Sequence, residues 1–503
     1  MALRKIVIVG GGTAGWMCAA ALSRLTRFGQ LAVTLVESEQ IGTVGVGEAT
    51  IPPIMDFNRL LEINEAEFLA QTQGTFKLGI QFHNWGAIGD RYFHPFGAYG
   101  YAFDGVAFHQ IWQKRRDAGD ARPLEVFSLA CMAADAEKFV ITGPNHRPDL
   151  PPINYAYQFD AGRYARFLRS YAEARGVMRK EGLVSNVALA PESGDVASIT
   201  LKDGTLLEGD LFVDCSGFRG LLIEQALNTG YDDWSHWLPC DRAAALPCKK
   251  SGPAVPYTRS TAHSAGWQWR IPLQHRTGNG HVYCSNFISD DEALAVLKSN
   301  LDGDITGEPN FLKFRTGRRR KFWNKNVVAI GLAGGFMEPL ESTSIHLIQT
   351  AISKLVALLS AGQYTPRQAE AFNRLTAKEF ERIRDFLILH YNATARDDSE
   401  FWNYCRTMQI PDTLAEKIEL FRSNGQIFRE DDELFTATSW VAVLQGQGIE
   451  PQSYNPIAGA FAEDKLSHEI DEIERSIRFM VERMPTHEAF IAKYCPAPTV
   501  QAA

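Results

Sequence analysis

The sequence predicts a mixed α/β (α+β) fold, in which a doubly wound parallel sheet near the N-terminus is joined to a helical C-terminal module. Three observations predict it. The segment "KIVIVGGGTAGWMCAAALSRL" (5–25) reads as strand, tight glycine turn and helix. Two later apolar runs, Leu211 to Val213 and "NVVAIGLAGG" (326–335), read as strands returning to the same sheet. From about Ile345 onward apolar residues recur at helical spacing, as in "IHLIQTAISKLVALL" (345–359) and "IDEIERSIRFMVERM" (470–484), with Pro366 marking a break between helices.

Ile6 to Val9 is an unbroken run of β-branched residues, the pattern of a strand buried on both faces. Gly10, Gly12 and Gly15 then fit G-x-G-x-x-G. The first glycine allows the turn, the second lets backbone approach a pyrophosphate, and the third lets the helix pack on the strand. A helix opening at Thr13 and Ala14 offers free N–H groups and a positive dipole end to phosphates. A second apolar strand, "LAVTLVE" (31–37), ends at Glu37, 22 residues past Gly15, where a carboxylate can accept from ribose hydroxyls. An acid there disfavours a 2′-phosphate. The late strand ending in Asp214 and a Cys-Ser-Gly turn, and the glycines around Gly331 and Leu332, suit a long extended FAD better than NAD. The glycine-rich segment "GTVGVGEATIP" (42–52), with Gly47, Glu48 and Ala49, is placed to wrap such a cofactor.

Composition bounds the rest. A chain of 503 residues suggests two or three modules, and its 45% hydrophobic and 22% charged residues are those of a globular protein. A net charge of −8 argues against a nucleic-acid partner. Eight scattered cysteines, without a C-x-x-C pair, read as reduced thiols and supply no metal site. The apolar run in "MALRKIVIVGGG" is too short for a signal peptide, and no stretch approaches the roughly 20 apolar residues of a membrane span. The expectation is a soluble cytoplasmic protein that engages neither membrane nor nucleic acid.

Further motifs carry a family resemblance over nearly the full length: "GGGTAGW" (10–16), "VGEATIP" (46–52), "FKLG" (76–79), "FHPFG" (93–97), "DCSGFRG" (214–220), "GWQWRIP" (266–272) and "FMEPLEST" (336–343). With these the chain resembles the flavin-dependent tryptophan halogenases, whose signature is GWxWxIP. The resemblance implies an FAD-binding domain of the single-component flavin monooxygenase type, with a substrate-covering sheet. It implies an FAD module over 1–345, with insertions at roughly 65–150 and 225–325, and a helical substrate module over 346–503. It also implies the chemistry. Reduced FAD (FADH2) and O2 oxidise chloride or bromide to hypohalous acid, which passes to a lysine and on to an electron-rich ring such as indole.

Residue by residue, the lysine matches Lys77, and Glu341 and Ser342 match the family's glutamate and serine. A carboxylate beside the ring would stabilise the cationic intermediate and accept its proton. Thr343 and Ser344 follow, with backbone N–H groups suited to a halide, although the family often has glycine at Ser344. His94 and Phe96 match positions that sandwich the substrate's indole. Trp267 and Trp269, one residue apart on a strand, point the same way and would wall the substrate off from the flavin. In "TFKLGIQF" (75–82) the apolar residues alternate with Lys77, Gly79 and Gln81, so alternation alone places Lys77 on a solvated face; the resemblance reverses that reading. Its partners are a separate flavin reductase and an aromatic small molecule, with assembly as a homodimer left open.

The sequence departs from the tryptophan-specific members in "TSWVAVLQGQG" (438–448). Trp440 and Val441 stand where paired tyrosines would hold the amino acid's head group, and Gln447 stands about where a glutamate would. A zwitterion buried without partners costs several kcal/mol, on the order of 2–7 per unmatched polar group, so free tryptophan is expected to be a poor substrate. The alternative is a single-component FAD-dependent aromatic hydroxylase. Such enzymes use an Asp-Gly motif for NADPH, whereas Asp203-Gly204 here reads as a plain hairpin turn. A flavin-binding protein without catalysis would have no need of Lys77 and Glu341 together.

Overall fold

A computed structural model describes residues 4–26, 31–40, 47–143, 152–359, 365–430 and 433–498. Among them, the strands Lys5–Val9 and Ala32–Glu37 pair in parallel at the middle of a six-stranded sheet. Leu211–Asp214 and Val327–Ala329 extend it on one side and Met178–Glu181 on the other, all parallel, and Trp323–Asn324 closes one edge antiparallel. Val9 lies opposite both Asp214 and Val36, so the strands end together beside the glycine turn. The helix Thr13–Thr26 follows that turn and packs on the later helices Ala161–Glu173 and Ser344–Leu358. Asp203-Gly204 is a hairpin turn between Val196–Leu201 and Leu206–Glu208, with Gly204 at φ +87°.

The second large sheet has seven strands, in the order Asn310–Lys313, Arg242–Ala245, Thr277–Tyr283, Gly266–Pro272, Thr258–His263, Gly79–His83 and Arg91–Pro95. Its one parallel pair joins Thr258–His263 to Gly79–His83. Beside it lies a small sheet of Gly47–Ala49, Ala156–Asp160 and Thr75–Lys77.

That arrangement corrects the alternation reading of 75–82. The segment is two strands in two sheets, not one. At Leu78, whose N–H donates to Pro256 O (2.7 Å) and whose carbonyl accepts from Phe96 N–H (2.9 Å), the chain passes from one sheet to the other. Lys77 therefore sits at an inside corner and is fully buried. From Ser344 onward the elements formed by the described residues are helices, and Pro366 opens the helix Pro366–Asn392. The last helix, His487–Tyr494, reaches back to the lysine's strand. His487 Nδ1–H donates to Ala254 O (2.7 Å), which leaves Nε2 to accept from Phe76 N–H (3.1 Å). Burial holds that imidazole down at about 4, and so neutral.

Candidate active site

The glycine turn opens onto a cavity of about 900 Å³. A Cβ on Gly10, at φ +117°, would lie 2.2 Å from Cys215 O, whereas a Cβ on Gly12 would meet nothing within 4 Å. The turn is thus fixed by packing at its first glycine and faces open space at its second, as a pyrophosphate cradle requires. Thr13, Ala14, Glu37, Gly47, Glu48, Ala49 and Leu332 line the same cavity. Gly331 stands behind, at φ +72°, its missing Cβ only 2.7 Å from Ala14. Residues 42–46 of the expected wrapping loop lie outside the described residues. Desolvation pushes the Glu48 carboxyl up to about 7. Glu37 accepts from Trp16 Nε1 (3.1 Å) and pairs with Arg179.

Arg166 and Arg169, also on the cavity wall, were not selected from the sequence. Their three-residue spacing on the helix Ala161–Glu173 is a signal that could have found them. The donors, the helix N-terminus and the cavity together fit an extended dinucleotide.

Trp267 and Trp269 share one face of Gly266–Pro272 and both line the cavity. Trp269 lies over Gly280, its partner in register, where a Cβ would stand 2.0 Å from the indole. Trp267 Nε1 donates to Glu338 (2.9 Å).

The second half of the site lies behind Ser342. The short helix Pro339–Glu341 ends in Ser342 at φ +59°, a left-handed conformation rare outside glycine. Ser342 lines the cavity, and its Oγ accepts from Lys77 Nζ (2.8 Å). Lys77 also donates to Thr50 O (3.1 Å) and lies 5.1 Å from the centre of the Phe96 ring. Burial lowers its ammonium to about 7, against the opposing pull of the Glu341 charge. Thr343 Oγ1 is buried without a partner, and Ser344 opens the next helix on the cavity wall.

Glu341 is fully buried between two imidazoles. His94 Nδ1 lies 2.9 Å from one oxygen in hydrogen-bonding geometry; His390 Nε2 lies 2.8 Å from the other but out of line for a directed bond. Burial alone would push this carboxyl up, but His94 and His390 outweigh it and hold it at about 2. His390 was not found from the sequence, because a single histidine in an apolar helix carries no pattern. Trp440 meets Phe386 edge-on at 4.9 Å, and Phe386 stacks on Phe435 at 3.7 Å, with His94 alongside. Its Nε1 is buried and unpartnered. Gln447 donates to His390 O (3.0 Å) and to the Tyr92 hydroxyl (3.2 Å). The structure thus brings Lys77 to Ser342 and Phe96, and His94 to Glu341, while Ser342, Trp267, Trp269 and the glycine turn line one cavity.

All eight cysteines are buried free thiols. Among the described residues, no group of His, Cys, Asp and Glu could hold a metal ion, and no helix is long and apolar enough to cross a membrane.

The family model described as tryptophan halogenase matches residues 5–463. A solved flavin-dependent halogenase from Xanthomonas campestris is 47% identical, with a TM-score of 0.96 and 99% of each chain covered. BrvH, a flavin-dependent halogenase from Brevundimonas sp. BAL3, is also 47% identical, with a TM-score of 0.94 over 98% of this chain and 99% of that one. Tryptophan 6-halogenase SttH from Streptomyces toxytricini is 35% identical over 97% of this chain and 98% of its own. With the fold and the cavity in place, these matches show the family: the chain belongs to the flavin-dependent tryptophan halogenase family and is an enzyme.

Proposed function

We propose that the protein is an FADH2-dependent halogenase that transfers chloride or bromide, as an electrophile, to neutral indole-type aromatics. One observation carries the reading: Ser342 touches both the dinucleotide cavity and Lys77, so a small species made in the cavity has a polar contact leading to a buried amine. Residues 1–345, with insertions at roughly 65–150 and 225–325, form the FAD module in this reading, and 346–503 complete the substrate side.

The backbone at Gly10, Gly12 and Thr13 would hold the cofactor's pyrophosphate, Glu37 its ribose, and the Thr343–Ser344 turn a halide. When bound, the reduced flavin supplies, with O2 and halide, hypohalous acid. Lys77 then acts as its neutral amine. Its nitrogen takes the halogen as the O–halogen bond breaks, and the hydroxyl leaves as water with one proton from that nitrogen. The ring attacks that halogen, the N–halogen electron pair returns to nitrogen, and the ring proton, taken up at Glu341, passes on to that nitrogen and restores the amine. A carboxyl held at about 2 is a weak base, so Glu341 acts mainly through its charge. Trp267 and Trp269 keep the ring on the lysine's side.

Since the Lys77 ammonium titrates near 7, the neutral amine grows as pH rises through that value. Single-turnover halogenation should therefore increase across pH 7 and level off above it, with flavin oxidation followed in parallel. A flat profile would assign Lys77 a role independent of its proton.

A separate flavin reductase is required in this reading. NADH consumption by the purified FAD-bound protein alone, at a rate matching product, would overturn that.

The substrate reading is tested by competing indole against L-tryptophan with enzymatically reduced FAD and bromide, following the isotope pattern of each product. Indole should be halogenated in preference, at C3, because Trp440, Val441 and Gln447 offer no charged or tyrosine clamp. Exclusive attack on the benzo ring of tryptophan would show that other residues read the amino-acid head group.

A further inference from the structure

The tryptophan wall does not end at the cavity. Trp267 meets Trp269 at 6.2 Å between ring centres and Trp85 at 6.3 Å; Trp85 in turn meets Tyr391 at 5.5 Å and Trp402 at 5.7 Å. Trp402 also stacks on Tyr391 at 6.0 Å, so both routes onward pass through Trp85. Every one of these rings is buried. One carboxylate touches the two ends of the chain: Glu338 Oε2 accepts from Trp267 Nε1 (2.9 Å) and from the Tyr391 hydroxyl. Its Oε1 is buried without a partner. Phenylalanine would fill this space equally well, and packing alone has no use for a buried acid with an orphan oxygen. Contacting indoles and a phenol beside a proton acceptor are the components of an electron-transfer path, since tunnelling falls off exponentially with distance.

We propose that Trp267, Trp85, Tyr391 and Glu338 form a relay that carries one-electron oxidising equivalents away from the flavin cavity. A one-electron oxidant at the cavity face, an oxygen-centred radical or a photoexcited oxidised flavin, takes an electron from Trp267, Trp85 refills Trp267, and Tyr391 refills Trp85. As Tyr391 gives up its electron its O–H bond breaks and the proton passes to Glu338. The oxidant has gained one electron, Tyr391 is a neutral phenoxyl radical, and Glu338 is a carboxylic acid. Burial pushes the Glu338 carboxyl up to about 7, so near neutrality much of it is an anion able to take that proton. The benefit is chemical: an indole radical left beside O2 is destroyed, whereas a buried phenoxyl persists until it is reduced. Such a relay would protect the wall that keeps substrate from the flavin.

The test uses the FAD-bound protein without halide or substrate, with photoexcited oxidised flavin as the one-electron oxidant. A blue-light flash is followed by transient absorption and by electron paramagnetic resonance. A tryptophan radical should form first and give way to a longer-lived neutral tyrosyl radical. Tyr391→Phe, the loss of one oxygen atom, should abolish the tyrosyl signal and leave the tryptophan radical. Trp85→Phe should abolish the tyrosyl radical, and Glu338→Gln should lose most of it while still accepting from Trp267. The flavin-binding isotherm of each variant separates a collapsed cavity from a broken relay, and Tyr391→Phe decides the matter if another variant fails to fold. No tyrosyl radical in the parent protein, or one unchanged in Tyr391→Phe, overturns the proposal.

Discussion

Lys77→Ala is expected to yield no halogenated product while reduced flavin is still oxidised at the parent rate. The physical reason is position: Lys77 lies beyond Ser342, outside the cavity lining, so the reactions of the flavin with O2 and halide stand upstream of it. Hypohalous acid then forms without a carrier. Alanine also empties volume at a fully buried site, and Lys77→Met fills most of it without restoring an amine. The two variants should be equally inactive, and a difference in their thermal midpoints measures the cavity alone. Product is read by mass spectrometry and flavin oxidation by absorbance in the same mixture. Near-parental product from either variant would return Lys77 to an ordinary strand residue.

Glu341→Gln is the second large effect. The carboxylate is fully buried, and it is held ionised by the imidazoles at its two oxygens. Ring attack on the halogen places a full positive charge on the substrate, and removing one preorganised stabilising group typically slows such a step by about 10². The amide preserves shape and still accepts at one oxygen, while its NH2 can donate to the other imidazole as a neutral tautomer, so folding and flavin oxidation should not change. The product should also keep the same ring position, because charge lowers the barrier without choosing the carbon. A rate within a few-fold of the parent would remove Glu341 from the ring chemistry.

The nucleotide half of the fold was legible because it obeys local rules. Ile6 to Val9, the glycines at 10, 12 and 15, and the acid at 37 each follow from backbone sterics and burial, and the parallel sheet places them side by side. Lys77 was not legible from pattern. A period of two persists across 75–82 although the chain changes sheets at Leu78, and periodicity cannot see a change of partner. Only the family motif rescued that residue. His390 and Glu338 were missed for a related reason: each acts through partners far away in sequence, with 53 positions between Glu338 and Tyr391. Arg166 and Arg169 had a readable spacing, but basic residues on a helix are usually solvated.

The contact between His487 and Phe76 spans 411 positions along the chain. During synthesis the strand that carries Lys77 emerges well before the imidazole that closes on its neighbour, which follows 411 positions after Phe76. N-terminal segments begin to fold as they leave the ribosome, but this strand waits for 411 further positions before that partner exists. The strand of Lys77 is therefore completed only once His487 has been made, so a chain broken off before that residue would lack the completed lysine corner.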